Sequence, residues 1–377
     1  MPKAKAKKKP ARKKKPALKR GPTVKALESS VSRLDRELVR KLNERAKLGN
    51  KLTKLKLASG QATLIPGQEE ETFARVIGLS RGPLPEQCIR AIFRELISGS
   101  RSLMRELGVA FLGPMYSYSH LAAIQRFGQS VEFLPVGSIA AVFEEVNRGH
   151  AEFGLVPIEN STDGRIADTL DMFTRLPVRV CGEVQLEIHH TLLGRCPRTE
   201  IKEVYSRPQA LSQCRNWLAK HLPAARTIEV TSTSTAAQLA KEKPGAAAIA
   251  SLQAGVHYGL DLLAERIEDN ANNTTRFAVI GKQSAVRTGN DKTAMMFQTE
   301  HRFGALADAL NVFKRNRLNL TWIESFPVPG SKRAYLFFVE MEGHETDARV
   351  RRATDALHKK TLRLEVLGSY CVTTAVE

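Results

Sequence analysis

The sequence is poor in the features that mark several broad protein classes. Its five cysteines, Cys88, Cys181, Cys196, Cys214 and Cys371, form no close pair. That excludes a disulfide-stapled scaffold, gives no metal-ligand spacing and fits a reducing compartment. No stretch is long and apolar enough for a membrane span, and the basic start lacks the apolar segment of a signal peptide. A soluble cytoplasmic protein needing no metal and no cofactor is therefore expected. Acidic residues are missing before Glu28, where twelve lysines and arginines stand. Taking those twelve from the formal net charge of +19 leaves +7 for everything after. The excess belongs to a Lys/Ala/Pro-rich tail, residues 1–24, which has no apolar run and is expected to be disordered. Nonspecific contact with nucleic acid is the most that such a tail supports.

What is present begins at Leu27. Leu27, Val31, Leu34, Leu38 and Leu42 step by three or four and mark one apolar helical stripe. Continued, the stripe meets Arg45, Gly49, Leu52 and Lys56. Two cations on a face that should be buried call for anionic partners, either protein carboxylates or a ligand. After the Pro66-Gly67 break come helical patterns near 69–79 and 85–107, so residues 25–107 read as a small all-α domain.

At Val109 the pattern turns to α/β. Phe153–Val156 reads as a buried strand that stops at Pro157 and opens into Asn160-Ser161-Thr162-Asp163 before a helix, Ile166–Phe173. Hydroxyl-rich loops of this kind recur at Tyr116–Ser119, Ser206 and Thr231–Thr235. Each is ordinary helix capping when taken alone. Several of them at one edge of a mostly parallel sheet make an anion-binding crevice, because helix starts offer free N–H groups. Two blocks, roughly 108–185 and 186–265, read as the lobes of a two-lobed binding-protein architecture. The polar run Asn270–Phe277 is compatible with the hinge between them. Glu183–Leu193 alternates as a single strand, and His189 and His190 on it face opposite ways, which suits packing better than metal binding. The last segment reads strand, helix, strand, strand, helix, strand, a ferredoxin-like α+β unit over 288–377.

Resemblances sharpen this outline. Leu34-Asp35, Leu42-Asn43-Glu44-Arg45, Lys56 and the run from Ile92 to Ser100 resemble the all-helical chorismate mutase domain. The resemblance implies a chorismate site using Arg45, Lys56, Glu69 and Ser100. Against that pattern, Glu28 and Gln68 stand where arginines belong, Ile65 replaces an aspartate, and Met104 replaces a glutamine or glutamate. Losing two cations and gaining an anion implies poor or absent mutase activity.

Residues 108–284 resemble prephenate dehydratase through three stretches: Gly154–Gly164, Val204–Cys214 and Asn270–Phe277. The resemblance implies Thr275, Asn160 and Gln213 as catalytic residues. It implies Ser161, Thr162, Ser206, Ser117, Ser234, Thr235 and Arg276 around prephenate, with Arg276 either holding a substrate carboxylate or locking Glu159. One departure is Tyr116-Ser117, where the family has Gly-Thr. Segments Gly304-Ala305-Leu306, Asn319–Pro327 and Leu367–Tyr370 resemble the ACT regulatory domain. They imply phenylalanine as effector, held by Gly304, Ala305, Leu306, Asn319, Leu320, Glu324 and Ser325, in a homodimer or larger homo-oligomer. Here Phe326 replaces the family's arginine.

The expected function is thus a phenylalanine-regulated prephenate dehydratase forming phenylpyruvate. A fully bifunctional enzyme and an arogenate dehydratase are the nearest alternatives. A non-catalytic small-molecule sensor needs the same lobes, but not Thr275-Arg276-Phe277 with an attached regulatory domain.

Overall fold

The structure is a computed structural model that describes residues 23–59, 66–104, 106–162, 164–328 and 334–373. Residues 1–22 of the expected disordered tail and Ile65 lie outside the described residues, while its last two, Thr23 and Val24, stand at the start of a helix. The chain forms two compact units that divide between Gly49 and Asn50.

The first unit holds most of helix α1 (Val24–Ala58). Thr23 starts it, accepting the Ala26 N–H on its hydroxyl at 3.3 Å. The predicted stripe is there, but Leu27, Val31, Leu34 and Leu38 each remain more than half exposed.

The second unit contains the rest. Helices α2 (Gln68–Leu79) and α3 (Glu86–Ser102) complete the helical segment. A first lobe follows with β1 (Gly108–Leu112), α4 (Tyr118–Phe127), β2 (Glu132–Val136) and α5 (Ile139–Arg148). It continues through β3 (Phe153–Asn160), β4 (Gly164–Arg165), α6 (Ala167–Arg175) and β5 (Arg179–Glu187). The second lobe comprises β6 (Thr191–Gly194), β7 (Glu203–Ser206), α7 (Pro208–Gln213), α8 (Arg215–His221) and β8 (Arg226–Glu229). It ends with α9 (Thr233–Glu242), β9 (Ala246–Ala250), α10 (Leu252–Tyr258) and β10 (Asp261–Ala264). Strand β11 (Thr274–Gly281) then returns to the first lobe.

The first sheet runs β2-β1-β3-β11-β5, with β4 on β3, and the second β10-β6-β9-β7-β8. The chain therefore crosses between lobes twice, at residues 188–190 and again at 265–273. The single strand expected over Glu183–Leu193 is in fact β5 and β6, in different sheets. Its break is held open by capture of backbone groups: Ile188 donates to the Asn273 carbonyl at 2.7 Å and His190 to the Glu268 carboxylate at 2.9 Å. Alternation of side chains survives such a crossing, so periodicity alone cannot reveal it.

Packing fixes β3 at the middle of its sheet. A Cβ on Gly154 would lie 2.7 Å from Val142 and 2.8 Å from Ile280, so only glycine lets α5 seat this closely. Phe143 and Phe173 meet edge-to-face at 5.0 Å on that side, while Phe111, Phe127 and Phe153 fill the other. Each such fully buried side chain is worth roughly 1.5–3 kcal/mol.

The C-terminal segment, β12 (Asp291–Gln298), α11 (Ala305–Arg315), β13 (Leu320–Pro327), β14 (Tyr335–Glu342), α12 (Ala348–His358) and β15 (Arg363–Cys371), has the expected βαββαβ order. Its sheet, β13-β14-β12-β15, is antiparallel throughout. Ala294, Met296, Phe338 and Leu367 share one core with Val180, Ala278 and Ile280, so this sheet backs directly onto β5 and β11 of the first lobe. Among the described residues no helix is long and apolar enough to cross a membrane.

Candidate active site

Strands β3 and β11 pair so that Thr275 stands opposite Asn160. Alternation along β11 then sends Arg276 to the other face of the sheet. That division settles the two roles offered for Arg276. Its guanidinium bonds Glu159 at 2.8 Å, Glu183 at 3.1 Å and Glu340 of the C-terminal sheet at 2.7 Å. Burial works against its charge, but Glu340, Tyr370, Glu183 and Glu159 together hold it firmly protonated. Arg276 is therefore corrected from a substrate ligand to the lock between the first-lobe sheet and the C-terminal sheet.

On the face opposite Arg276 the amide nitrogen of Asn160 donates to the Thr275 hydroxyl oxygen at 2.8 Å and to the Asn273 side-chain oxygen at 3.1 Å. Asn273 donates onward to the Gln213 carbonyl oxygen at 3.0 Å, and the same oxygen lies 2.8 Å from His190 Nε2. Thr275, Asn160 and Gln213 are thus brought together as expected, from β11, β3 and the second-lobe helix α7. Asn273 and His190 join them, and neither was singled out from the sequence as a site residue. The signal for His190 was absent because the lobe crossing that places it was read as continuous strand.

Several predicted ligands spend their hydroxyls on the scaffold. Ser161 donates to the Asn272 carbonyl at 3.1 Å and accepts the Thr274 N–H at 2.9 Å, tying the loop to the returning chain. The Ser206 hydroxyl, fully buried, donates to the Ile249 carbonyl at 2.6 Å, so its place around a substrate is a second correction. Ser117 caps α4 through His120 N–H. Ser234 donates to the Met115 carbonyl at 2.7 Å and joins the lobes, which corrects its role likewise. Thr235 bonds the capping hydroxyl of Ser232 at 2.7 Å. Thr162 is exposed, and its backbone N–H donates to Asn160 Oδ1 at 2.9 Å.

Tyr116 occupies the family's glycine position in a left-handed conformation, φ 64°. This strain costs on the order of 1–3 kcal/mol for a non-glycine residue. It is offset by one contact across the lobes, the ring stacking on His257 with centroids 3.7 Å apart, and by one within the lobe, the Tyr116 N–H donating to His120 Nδ1 at 3.0 Å.

Two of the residues assigned to chorismate, Glu69 and Ser100, are engaged by neighbours within the second unit. Glu69 is ion-paired with Arg101 of α3 and, at 2.6 Å, with Arg126 of α4. Burial pushes this carboxyl up, but the two guanidinium groups outweigh it and hold it down at about 2. Ser100 donates to the Leu96 carbonyl at 2.5 Å. Glu69 therefore clamps the helical segment to the first lobe. Arg45 lies in the first unit, while Lys56, further along the same helix, belongs to the second.

At the C-terminal segment, Gly304 adopts φ 74° and starts α11, which opens with Ala305 and Leu306. Leu320, Glu324 and Ser325 lie on the edge strand β13, and Asn319 just before it donates to Glu342 at 2.9 Å. Phe326 packs edge-to-face on Phe338 at 6.3 Å, so the residue replacing the family's arginine joins the core.

Residues 109–285 match the family model described as prephenate dehydratase, and residues 27–105 that of chorismate mutase type II. A bifunctional chorismate mutase/prephenate dehydratase of Aquifex aeolicus is 40% identical over 92% of this chain and 97% of its own. One of the same name from Pseudomonas aeruginosa is 37% identical over the same shares. A solved prephenate dehydratase from Arthrobacter aurescens, in complex with L-Phe, is 33% identical with a TM-score of 0.66. That comparison covers 71% of this chain and 90% of the other.

Proposed function

The chain belongs to the family of bifunctional chorismate mutase/prephenate dehydratases, and from that premise we propose that the cleft at Thr275 converts prephenate to phenylpyruvate. In this reaction the bond to the ring carboxylate breaks, its electron pair enters the ring, and the ring hydroxyl leaves as the ring becomes aromatic. Carbon dioxide and, after protonation, water are released. Aromatisation supplies much of the drive, so the protein chiefly orients the dianion and assists the leaving oxygen.

One observation carries the reading. The Thr275 oxygen already accepts a hydrogen bond from Asn160, so the hydroxyl's own proton, which has no acceptor among the described residues, is left for the departing oxygen. A threonine hydroxyl is a weak acid and acts here as an oriented hydrogen-bond donor. Asn160 and Gln213 are assigned to the substrate beside it. Ser117, Thr162 and Thr235 are assigned to the substrate's surroundings by resemblance alone.

The helical segment is assigned slow chorismate mutase activity. The bifunctional relatives favour a poor mutase over an absent one, and the cations Arg45 and Lys56 are retained. Glu28 and Gln68 remove two matched cations, Met104 removes a polar group, and Glu69 is held by Arg101 and Arg126. Each lost charge-assisted contact is worth about 1.5–3 kcal/mol, which lowers the rate by powers of ten when two or three are missing. The exposed stripe of α1 is assigned to pairing with a second copy of the chain.

One set of assays tests both halves: purified protein is given chorismate, prephenate or arogenate separately. Prephenate is expected to yield phenylpyruvate, chorismate to disappear at least about 100-fold more slowly, and arogenate to yield little phenylalanine. Preferred turnover of arogenate would reassign the substrate, and chorismate turnover matching that of prephenate would remove the argument from the lost cations.

Phenylalanine is assigned as a feedback effector at Gly304–Leu306 and Asn319–Ser325, a reading supported by the L-Phe complex of the Arthrobacter enzyme. Inhibition requires that the effector bind the less active state more tightly. Deleting residues 288–377 is a poor test, because it strips cover from Ala278 and Ile280 on the strand that carries Thr275. Point variants serve better: Leu306→Ala and Asn319→Ala should each raise the half-inhibitory phenylalanine concentration at least about 10-fold. Unchanged inhibition in both would place regulation elsewhere.

A further inference from the structure

The side chain of Asn160 has only one orientation compatible with its neighbours. Its oxygen accepts the backbone N–H of Thr162 at 2.9 Å, and a backbone N–H can only donate. The amide nitrogen must therefore face Thr275 and the oxygen of Asn273. Asn273, 2% exposed, in turn presents its nitrogen to the Gln213 oxygen at 3.0 Å. That oxygen is now committed as an acceptor, so His190 Nε2, 2.8 Å away, must carry a hydrogen. The direction of one backbone amide thus propagates through four side chains to fix a histidine tautomer.

The surroundings of His190 agree with this. The ring is 2% exposed, and burial holds its pKa below the usual range, opposed by the Gln213 bond and the Glu268 carboxylate. Its Nδ1 lies 3.0 Å from the Tyr118 hydroxyl of α4, whose single hydrogen can turn to that nitrogen or to the His189 carbonyl at 2.7 Å, and an Nε2–H ring draws it to Nδ1. Glu268, facing both histidines, takes the His190 backbone N–H and sits 2.8 Å from His189 Nδ1. Tyr118, Gln213, Glu268 and His189 are the titratable or polar groups around the ring, and none of them requires a proton on Nδ1.

We propose that His190 is a positioning residue for the dehydration. Its Nε2–H holds the Gln213 oxygen and so turns the Gln213 amide nitrogen, which bonds no described residue, toward the substrate as a second donor beside the Thr275 hydroxyl. Were Gln213 to flip, its carbonyl oxygen would face a dianion and repel it. The inference rests on the dehydratase reading and deepens it.

Gln213 grips the substrate in ground and transition states alike, so losing its orientation should appear in KM and not in kcat. His190→Phe keeps a ring and removes the donor, while His190→Gln keeps a terminal N–H. With prephenate, the phenylalanine variant should show a KM raised about 10- to 100-fold with kcat within a few-fold of wild type. The glutamine variant should recover most of that loss. An unchanged KM in the phenylalanine variant, or equal impairment in both, overturns the proposal. Should the phenylalanine variant fail to fold, nitrogen-15 NMR of histidine-labelled wild-type protein decides, with the His190 signals assigned by their loss in the glutamine variant. The Nε2–H tautomer is expected at neutral pH, and the Nδ1–H tautomer contradicts the hydrogen-bond direction. This NMR result stands apart from turnover: a wild-type chain inactive on prephenate would sink the functional reading while the tautomer still judged the geometry.

Discussion

Arg276→Met should destabilise the protein by about 3–5 kcal/mol, the range seen when one partner of a buried ion cluster is removed. The reason lies in what is left behind. Glu183 and Glu340 have side chains 3% and 1% exposed, and Arg276 bonds both. Without it, the nearest cation is Lys292, whose Nζ is 3.6 Å from Glu183 and only 4.0 Å from Glu340. Tyr370 still donates to Glu340 at 2.8 Å, but a neutral hydroxyl cannot balance the charge. Glu159→Gln, at a side chain 30% exposed, should cost far less, roughly 1 kcal/mol or below. Denaturant midpoints of the two variants check the contrast. A loss below about 1 kcal/mol for the methionine variant would show that the carboxylates are neutralised some other way.

Thr275→Ala should reduce turnover of prephenate by about 100- to 1000-fold while leaving stability nearly intact. Thr275 makes one side-chain bond, to Asn160, and lies near the start of β11, so its removal leaves neither a large cavity nor a buried charge. The loss should fall on kcat, because the hydroxyl meets the leaving oxygen most strongly as charge develops there. Arg276 and Thr275 are thus adjacent in sequence and opposite in role. One face of β11 carries the proposed chemistry, and the other ties the strand to the C-terminal sheet.

Much of this was legible before any coordinates. The helical stripe of α1, the two lobes and the βαββαβ unit follow from period and punctuation, whereas the strand expected to stop at Pro157 runs on to Asn160, because pairing with β11 and β4 carries it past the proline. The core triplet Thr275, Asn160 and Gln213 followed from resemblance, and the structure brings the three together. What stayed hidden depended on contacts between segments far apart in the chain. Ser206 and Ser234 look like ligands in sequence because a hydroxyl at a loop carries no sign of where it points. Only the fold shows that Ile249 and Met115 take them. Glu69 looked like a mutase residue until Arg126, 57 positions later, was found against it. His190 was misjudged for a related reason: a strand that changes sheets keeps its alternation, so nothing local marks the crossing.

The Thr275 hydroxyl, with its oxygen occupied by Asn160, is proposed to donate a hydrogen bond to the leaving oxygen. Steady-state kinetics of Thr275→Ser and Thr275→Val with prephenate test it most directly. Serine keeps the hydroxyl and loses a methyl group; valine keeps the shape and loses the hydroxyl. The account predicts that serine retains kcat within about 10-fold of wild type and that valine falls with alanine, about 100-fold or more. A valine variant turning over at close to the wild-type rate would contradict it.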